Sequence, residues 1–478
     1  MTTHRLLLPA LLAVIGLTRF ASAAEQPNIL FIFADDQCYD TINALGNQEV
    51  ETPNLDRLVR RGVTFTRTYN QGSWSGAVCI ASRMMLNSGR FVWHAQKDYS
   101  AADKLYREQG RMWAQLLEKA GYETYMSGKW HLRANAEKTF NHASHVRPGM
   151  PNQTPAGYNR PHEGKEDQWS PYDKSFEGFW KGGKHWSEVL GDDSEAFLAS
   201  AAQSKKPFFM YLAFNAPHDP RQAPKEYVDK YPLDKIAIPE SFLPEYPFNE
   251  AMKSGRKLRD ERLAPFPRTK YSVQVNRQEY YAIITHMDAQ IGRILDALEK
   301  TGKADNTYIF FTADHGLAVG QHGLMGKQNM FDHSVRVPFM VVGPQVPQNK
   351  KIAAPIYLQD VMPTTLALAG AEKPDYVQFQ NLLPLIHGET QKSAYNAIYG
   401  AYLGGQRMVT MDGYKMTLYP TAKKVLLFDL DNDPQELRDL SEQKDQQGRL
   451  KKLFAKLLEL QRETGDSMDL KKTYPGLL

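Results

Sequence analysis

Cysteine is almost absent from this chain: two among 478 residues, Cys38 and Cys79. That excludes a disulfide scaffold and leaves at most one bridge, Cys38 to Cys79. Long apolar runs are missing too. Nothing beyond the first two dozen residues approaches the roughly eighteen consecutive apolar residues of a membrane span, so no stable membrane insertion is expected. Charge of one sign is not in excess either, with 58 Lys and Arg against 54 Asp and Glu. Such a balance gives no reason to expect a nucleic-acid partner, and any anionic ligand must be met by local basic groups. Internal repeats and low-complexity tracts are also lacking, which argues against a solenoid.

What is present begins with Arg5, the apolar run Leu6 to Leu17 and Ala21-Ser22-Ala23. This reads as a secretory signal over residues 1–23, with export to the periplasm or the cell exterior. The alternation of strands and helices that follows predicts an α/β domain over 24–370, built on a large, mostly parallel sheet sandwiched by helices. Short strands at 397–402, 407–411, 414–419 and 425–429 and a charged helix at 445–462 predict a smaller C-terminal antiparallel sheet plus helix, over 371–478.

The polar groups that matter sit at strand ends. Ile29 to Ala34 is an apolar run suited to a strand buried on both faces, and Asp35-Asp36 follow it. An acidic pair there is either a solvated turn or a cation site, and the apolar run into it favours a metal. Val63 to Tyr69 alternates like a strand and leads to the cysteine loop. A helix at 111–120 and a strand at 122–127 deliver Gly128-Lys129-Trp130-His131, whose lysine and histidine, two apart, point to one side. Singly they read as a surface charge and a loop residue; together they suit an anion. Strand 207–214 ends at Pro217-His218, and strand 307–312 ends at Asp314-His315, with Lys327 further along. Strand 337–342 and helix 357–369 close the first domain. The stretches 134–191 and 220–268 show little periodicity and read as irregular inserts, and a long helix is expected over 277–301.

Cys79 stands where a Gly/Ser-rich loop gives way to a helix-forming stretch, Ile80 to Leu86, and Arg83 follows one turn later. A nucleophile and a fixed cation on one helical face can converge on an anion. The alternative is a buried cysteine packing as a small hydrophobe beside a structural ion pair.

Cys79-Ile80-Ala81-Ser82-Arg83 resembles the Cys-x-Pro-Ser-Arg core motif of the formylglycine sulfatases, with Ala81 where most members carry proline. Asp35-Asp36, Gly128-Lys129-Trp130-His131, Pro217-His218, Thr312-Ala313-Asp314-His315-Gly316 and Lys327 occur in the order found in type I sulfatases of the alkaline-phosphatase superfamily. The segment Phe428 to Glu436 is similar to that family's C-terminal sheet. The resemblance implies an alkaline-phosphatase-like fold and hydrolysis of a sulfuric ester. It implies a divalent cation on Asp35, Asp36, Asp314, His315 and an oxygen of residue 79: Ca²⁺ on the carboxylates, with Mg²⁺, Mn²⁺ or Zn²⁺ as alternatives, the last two favoured by the histidine.

It further implies that Cys79 is oxidised to 3-oxoalanine (formylglycine) by a formylglycine-generating enzyme or maturase during export. One hydroxyl of the hydrated aldehyde would attack sulfur while Arg83, Lys129 and Lys327 hold the sulfate oxygens. His218, with Lys327, would protonate the leaving alcohol, and His131 would deprotonate the second hydroxyl so that sulfate is expelled. A phosphate or phosphonate monoesterase of the same superfamily, or a non-catalytic carbohydrate-binding relative, are the competing readings. The irregular inserts suggest a sulfated polysaccharide or glycosaminoglycan fragment as substrate. Trp93, His94, Arg133, His185 and Trp186 are the residue types that would touch a sugar.

Overall fold

A computed structural model describes residues 26–149, 154–176, 178–179, 182–219 and 221–478; the expected signal segment lies outside them. Eight strands form the main sheet: β1 (Asn28–Asp35), β2 (Val63–Phe65), β3 (Glu123–Lys129), β4 (His142–Arg147), β5 (Phe208–Pro217), β6 (Thr307–Ala313), β7 (Phe339–Val342) and β8 (Lys350–Ile352). Their order is β8-β2-β7-β6-β1-β5-β3-β4. Among them β7 alone runs against its neighbours. β1 lies in the middle, all eight of its residues buried, which explains its continuous apolar composition.

Helices cover both faces. Trp113, from α4 (Trp113–Lys119), packs its fully buried indole against Phe31 and Phe209, with ring centroids 5.0 and 4.8 Å apart. The opposite face carries α5 (Trp186–Gln203), whose Phe197 meets Tyr125. The long helix α6 (Lys270–Lys300) begins on a Thr269–Ser272 capping box and packs along α5.

The smaller sheet comprises β9 (Ile398–Tyr402), β10 (Gln406–Met411), β11 (Tyr414–Tyr419) and β12 (Lys424–Asp429), all antiparallel, with helix α7 (Gln447–Thr464) against it. Its fifth strand comes from the first half of the chain: Gly72–Ser73 pairs parallel to Ala401 and Tyr402. The small sheet thus anchors the loop that leads into the cysteine helix α2 (Val78–Ser88).

Two expectations change. The run from Val63 to Tyr69 is not one strand: Val63–Phe65 joins the main sheet and Thr68–Tyr69 a separate three-stranded sheet. The stretch 134–191 is not all irregular, since it contributes edge strand β4 and the start of α5. β4 reads HASHVR and is half exposed, so it lacks the apolar alternation that marks a strand. The one bridge that the cysteine count allowed is not formed: Cys38 and Cys79 are both free. Cys38 Sγ donates to Leu317 O at 2.9 Å, and burial pushes its thiol up to about 12.

Candidate active site

Strands β6, β1, β5 and β3 are adjacent and parallel, so their carboxyl ends share one crevice, where open α/β sheets place their ligands. Asp35 ends β1, Lys129 ends β3, His218 follows β5 and Asp314 follows β6. Two backbone distortions aim the groups. Asp36 and His131 hold positive φ, 69° and 58°, a conformation that costs energy in a non-glycine residue and collects at functional sites. At Gly128 (φ 91°) the register of β3 against β4 shifts, turning Lys129 inward; a Cβ there would lie 2.0 Å from Ala213 O.

Cys79 lies in the first turn of α2, buried, with its Sγ 3.2 Å from Asp35 Oδ1, 3.9 Å from Asp36 Oδ1 and 3.1 Å from Lys327 Nζ. Lys129 Nζ pairs with Asp35 Oδ2, and Lys327 Nζ with Asp36 Oδ2 at 2.5 Å. Arg83, one turn after Cys79, is fully buried. Its Nε donates to Asp314 Oδ2 at 2.9 Å and its Nη1 to Lys129 O at 2.6 Å. His218 Nε2 sits 3.4 Å from Asp36 Oδ2, while its Nδ1 faces the carbonyl and carboxylate oxygens of Asp219 at 2.8 and 3.0 Å.

Burial dominates the titration of these groups. It would raise Asp35, but Lys129 foremost, then His218, Arg83 and Lys327, hold that carboxyl well below the usual range. Burial keeps Asp36 raised despite Lys327, and pushes Asp314 up to about 6 with help from Asp35. It also lifts the Cys79 thiol well above its ordinary value, with Asp314 and Asp35 adding to the effect. Burial lowers His131 to about 2, with Lys129 and Arg83 reinforcing it.

Three buried nitrogens in this crevice have no hydrogen-bond partner among the described residues: Arg83 Nη2, His131 Nδ1 and His315 Nε2. Buried polar atoms are normally paired, so each of these calls for an explanation. His315 is the most specific. Its Nδ1 donates to Gly316 O at 2.8 Å, which fixes the tautomer and leaves Nε2 as a bare lone pair. A histidine that binds a metal is oriented in this way. Ligand atoms of Asp35, Asp36, Cys79 and His218 lie within 4.8 Å of one another, a set that could hold a cation. It includes His218, expected only as an acid, and leaves out two expected ligands, His315 and Asp314, the carboxylate of the latter being turned onto Arg83 and the Asp36 amide, 3.2 Å away.

Above the cysteine opens a cavity of about 310 Å³ lined by Cys79, His131, His218 and Lys327 and also by Leu258, Arg259, Asp260 and Gln328. The last four were not anticipated. Arg259 Nη2 links Asp219 Oδ1 (3.4 Å) to Asp260 Oδ1 (2.5 Å), so the 220–268 insert reaches the partner of His218. Its Glu261 accepts from the Met325 and Gly326 amides at 3.1 and 2.9 Å and so braces the loop carrying Lys327. The dense charge of Arg256 to Arg262 inside a Pro-rich stretch is the one sequence signal that could have found them.

The five sugar-contact candidates do not line this cavity. Trp93 Nε1 donates to Tyr399 Oη at 2.8 Å. His94 Nδ1 meets Gln378 Oε1 at 2.9 Å, and Arg133 lies 5.2 Å over the Tyr99 ring. His185 is buried and caps α5 by accepting from Ser187 N, and the Arg147 guanidinium stacks 3.1 Å from the Trp186 ring centre.

The sulfatase family model matches residues 27–371, nearly three quarters of the chain. The chain belongs to the sulfatase family. A second model, described as the C-terminal region of N-sulphoglucosamine sulphohydrolase, matches residues 320–463. Membership places the protein in the alkaline-phosphatase superfamily and makes it a sulfuric ester hydrolase. Similar sequences include an arylsulfatase of Clostridium perfringens, 29% identical over 94% of this chain and 98% of that one. An N-acetylglucosamine-6-O-sulfatase of Bacteroides thetaiotaomicron is 26% identical over 97% and 91%.

Among solved structures, one bound to its substrate D-glucosamine-2-N,6-O-disulfate shares the fold (TM-score 0.72, 22% identity, 93% of this chain and 99% of that one). A phosphonate monoester hydrolase of Silicibacter pomeroyi shares it equally (TM-score 0.73, 21% identity, 92% and 96%). The fold is therefore common to both chemistries. No helix among the described residues is long and apolar enough to cross a membrane.

Proposed function

We propose that this sulfatase is exported and releases inorganic sulfate from a sulfated polysaccharide or glycosaminoglycan fragment, using Cys79 oxidised to formylglycine by a formylglycine-generating enzyme or maturase. The observation that carries the mechanism is the set of buried, partnerless nitrogens on Arg83, His131 and His315 around the Cys79 side chain. A sulfate ester is an anion that repels another anion, so its oxygens must be held by cations before sulfur is attacked. Arg83 Nη2, Lys129 and Lys327 supply that field. Oxidation and hydration give position 79 two hydroxyls, one to attack sulfur and one whose deprotonation lets sulfate depart. His218 sits in the cavity wall with Asp219 behind it and gives a proton to the leaving alcohol, with Lys327 beside it. His131, neutral through burial, takes the proton from the second hydroxyl.

A divalent cation fits Asp35 and Asp36, whose oxygens lie with Cys79 and His218 within 4.8 Å of one another. Asp314, if its carboxylate turned back from Arg83, and His315 Nε2 would complete the expected set, and the ion would add positive charge beside the sulfate. Calcium suits a site dominated by carboxylates.

The test is mass analysis of the tryptic peptide Thr68–Arg83 from secreted protein. Formylglycine replaces the cysteine sulfur by oxygen with loss of two hydrogens. A fully active enzyme whose residue 79 is unmodified cysteine would overturn the mechanism. Comparing sulfate with phosphate monoesters on one preparation tests the ester class, and faster phosphate release would reverse it.

A further inference from the structure

A second cleft, of about 430 Å³, opens where the helix Val92–Tyr99 meets the small sheet and the segment after α7. Its volume is in the range of ordinary small-molecule sites. Trp74, Trp93, Gln96, Lys97, Asp466 and Met468 are among its walls. The floor is rigid. Arg407 stacks 4.8 Å over the Trp93 ring and forks onto Asp466 at 2.6 and 2.9 Å, and Asp466 also accepts from Tyr399 Oη at 2.9 Å. The rim is different: Gln96 and Lys97 are exposed, and Lys97 has no ion pair among the described residues. Trp74 is half-buried, its ring 6.0 Å from that of Tyr99.

This lining holds no histidine and no cysteine, so it is built for binding and not for the chemistry of the main cavity. Two indoles offer apolar surface with polar edges, which suits the flat face of a pyranose. The exposed lysine and amide suit an anionic substituent and hydroxyls. The cleft is also close to the catalytic cavity. Trp74 lines one, Gly76 and Ala77 line the other, and two residues of chain span at most about 7 Å.

We propose that this cleft is a secondary glycan subsite. It holds a sugar unit of the same sulfated chain whose scissile sulfate is in the catalytic cavity, with a ring face on Trp74 and Trp93 and an anionic substituent at Lys97. The inference rests on the polysaccharide reading above and extends it from one sugar to several.

The experiment measures sulfate release from disaccharides and octasaccharides of heparin and of chondroitin sulfate, for the wild-type enzyme and for Lys97→Glu and Trp74→Ala. For at least one polymer the wild-type kcat/KM should be about tenfold or more higher on the octasaccharide than on its disaccharide. Each variant should bring that ratio close to one; because it is taken within one preparation, partial misfolding cancels. Release from disaccharides with no gain on lengthening, or a gain that survives both substitutions, overturns the subsite alone. An enzyme that turns over 4-nitrocatechol sulfate but releases nothing from any saccharide overturns the polysaccharide reading and the subsite with it.

Discussion

Two of the clusters of charge that the molecule buries differ in how they are built. At the junction with the small sheet, Lys415 Nζ donates to Asp332 Oδ1 at 2.5 Å and Met330 O at 3.1 Å and forms an ion pair with Glu436 Oε1 at 2.9 Å. Arg336 completes it, donating to Thr66 O and Asp332 Oδ2. In the catalytic crevice, Arg83, Lys129 and Lys327 face Asp35, Asp36 and Asp314, yet nitrogens of Arg83, His131 and His315 are left over. Burial of charge therefore does not mark the active site. An unpaired buried atom alone does not mark it either, since Glu436 Oε1 at the junction and the Gln359 amide also lack a hydrogen-bond partner among the described residues. What sets the crevice apart is that its unspent nitrogens surround one reactive side chain beneath an open cavity.

That contrast can be broken by substitution. The largest effect is expected for Cys79→Ser, which keeps one hydroxyl and loses the second: sulfate release should fall by on the order of 10⁴-fold or more, about 5 kcal/mol, with the fold intact. Turnover near wild type would remove Cys79 from the chemistry. Next comes Lys415→Met, which leaves Glu436 buried without its cation and Asp332 with Arg336 alone. Breaking such a pair costs about 3–5 kcal/mol, so calorimetry should show a marked drop in melting temperature, with kcat of the folded enzyme changed far less. Arg83→Lys should do the reverse. It retains charge but loses the planar fork, so kcat should fall on the order of 10²-fold while the melting temperature moves less than in Lys415→Met. If Arg83→Lys is the more destabilised and the more active of the two, the roles assigned to the clusters are exchanged.

The site was legible in the sequence because it sits at the ends of strands whose apolar runs are unmistakable. Ile29 to Ala34 and Thr307 to Thr312 fix where Asp35, Asp36, Asp314 and His315 emerge, and the parallel order of β6, β1, β5 and β3 does the rest. Asp219, Arg259 and Asp260 escaped because nothing in an aperiodic insert says which charges turn inward; Asp260 is 4% exposed in a run that reads as solvated. Composition marks His185 and Trp186 as binding types but not their local duties: one caps a helix and the other stacks on Arg147, and both line a small pocket beside His218 and Asp219. Strand β4 was lost because a polar edge strand carries no hydrophobic period.

The smallest predicted effect sharpens the comparison from the junction side. Glu436 is pushed up to about 7, by burial first and against the pull of Lys415; Asp332, facing it, raises it further. A carboxyl that holds its proton more tightly folded than unfolded stabilises the fold below its ordinary value of 4.5, and that contribution is lost as pH climbs through about 7. Asp332 is held below its ordinary 3.8 by Lys415 and Arg336 against the effect of burial, so its own contribution fails only as pH drops further. Between pH 5 and 7.5 Glu436 therefore adds to the decline, as do Asp288 and Asp314, raised to about 6, and Asp360, raised to about 7, and only the difference between wild type and a Glu436 variant isolates its share. Glu436→Gln keeps the shape and an acceptor oxygen but cannot titrate. The fall in melting temperature over that window should be shallower in the variant than in the wild type, by a few degrees at most. Equal slopes would mean that Glu436 is already ionised at pH 5, which a Lys415 ammonium strong enough to overcome burial would achieve.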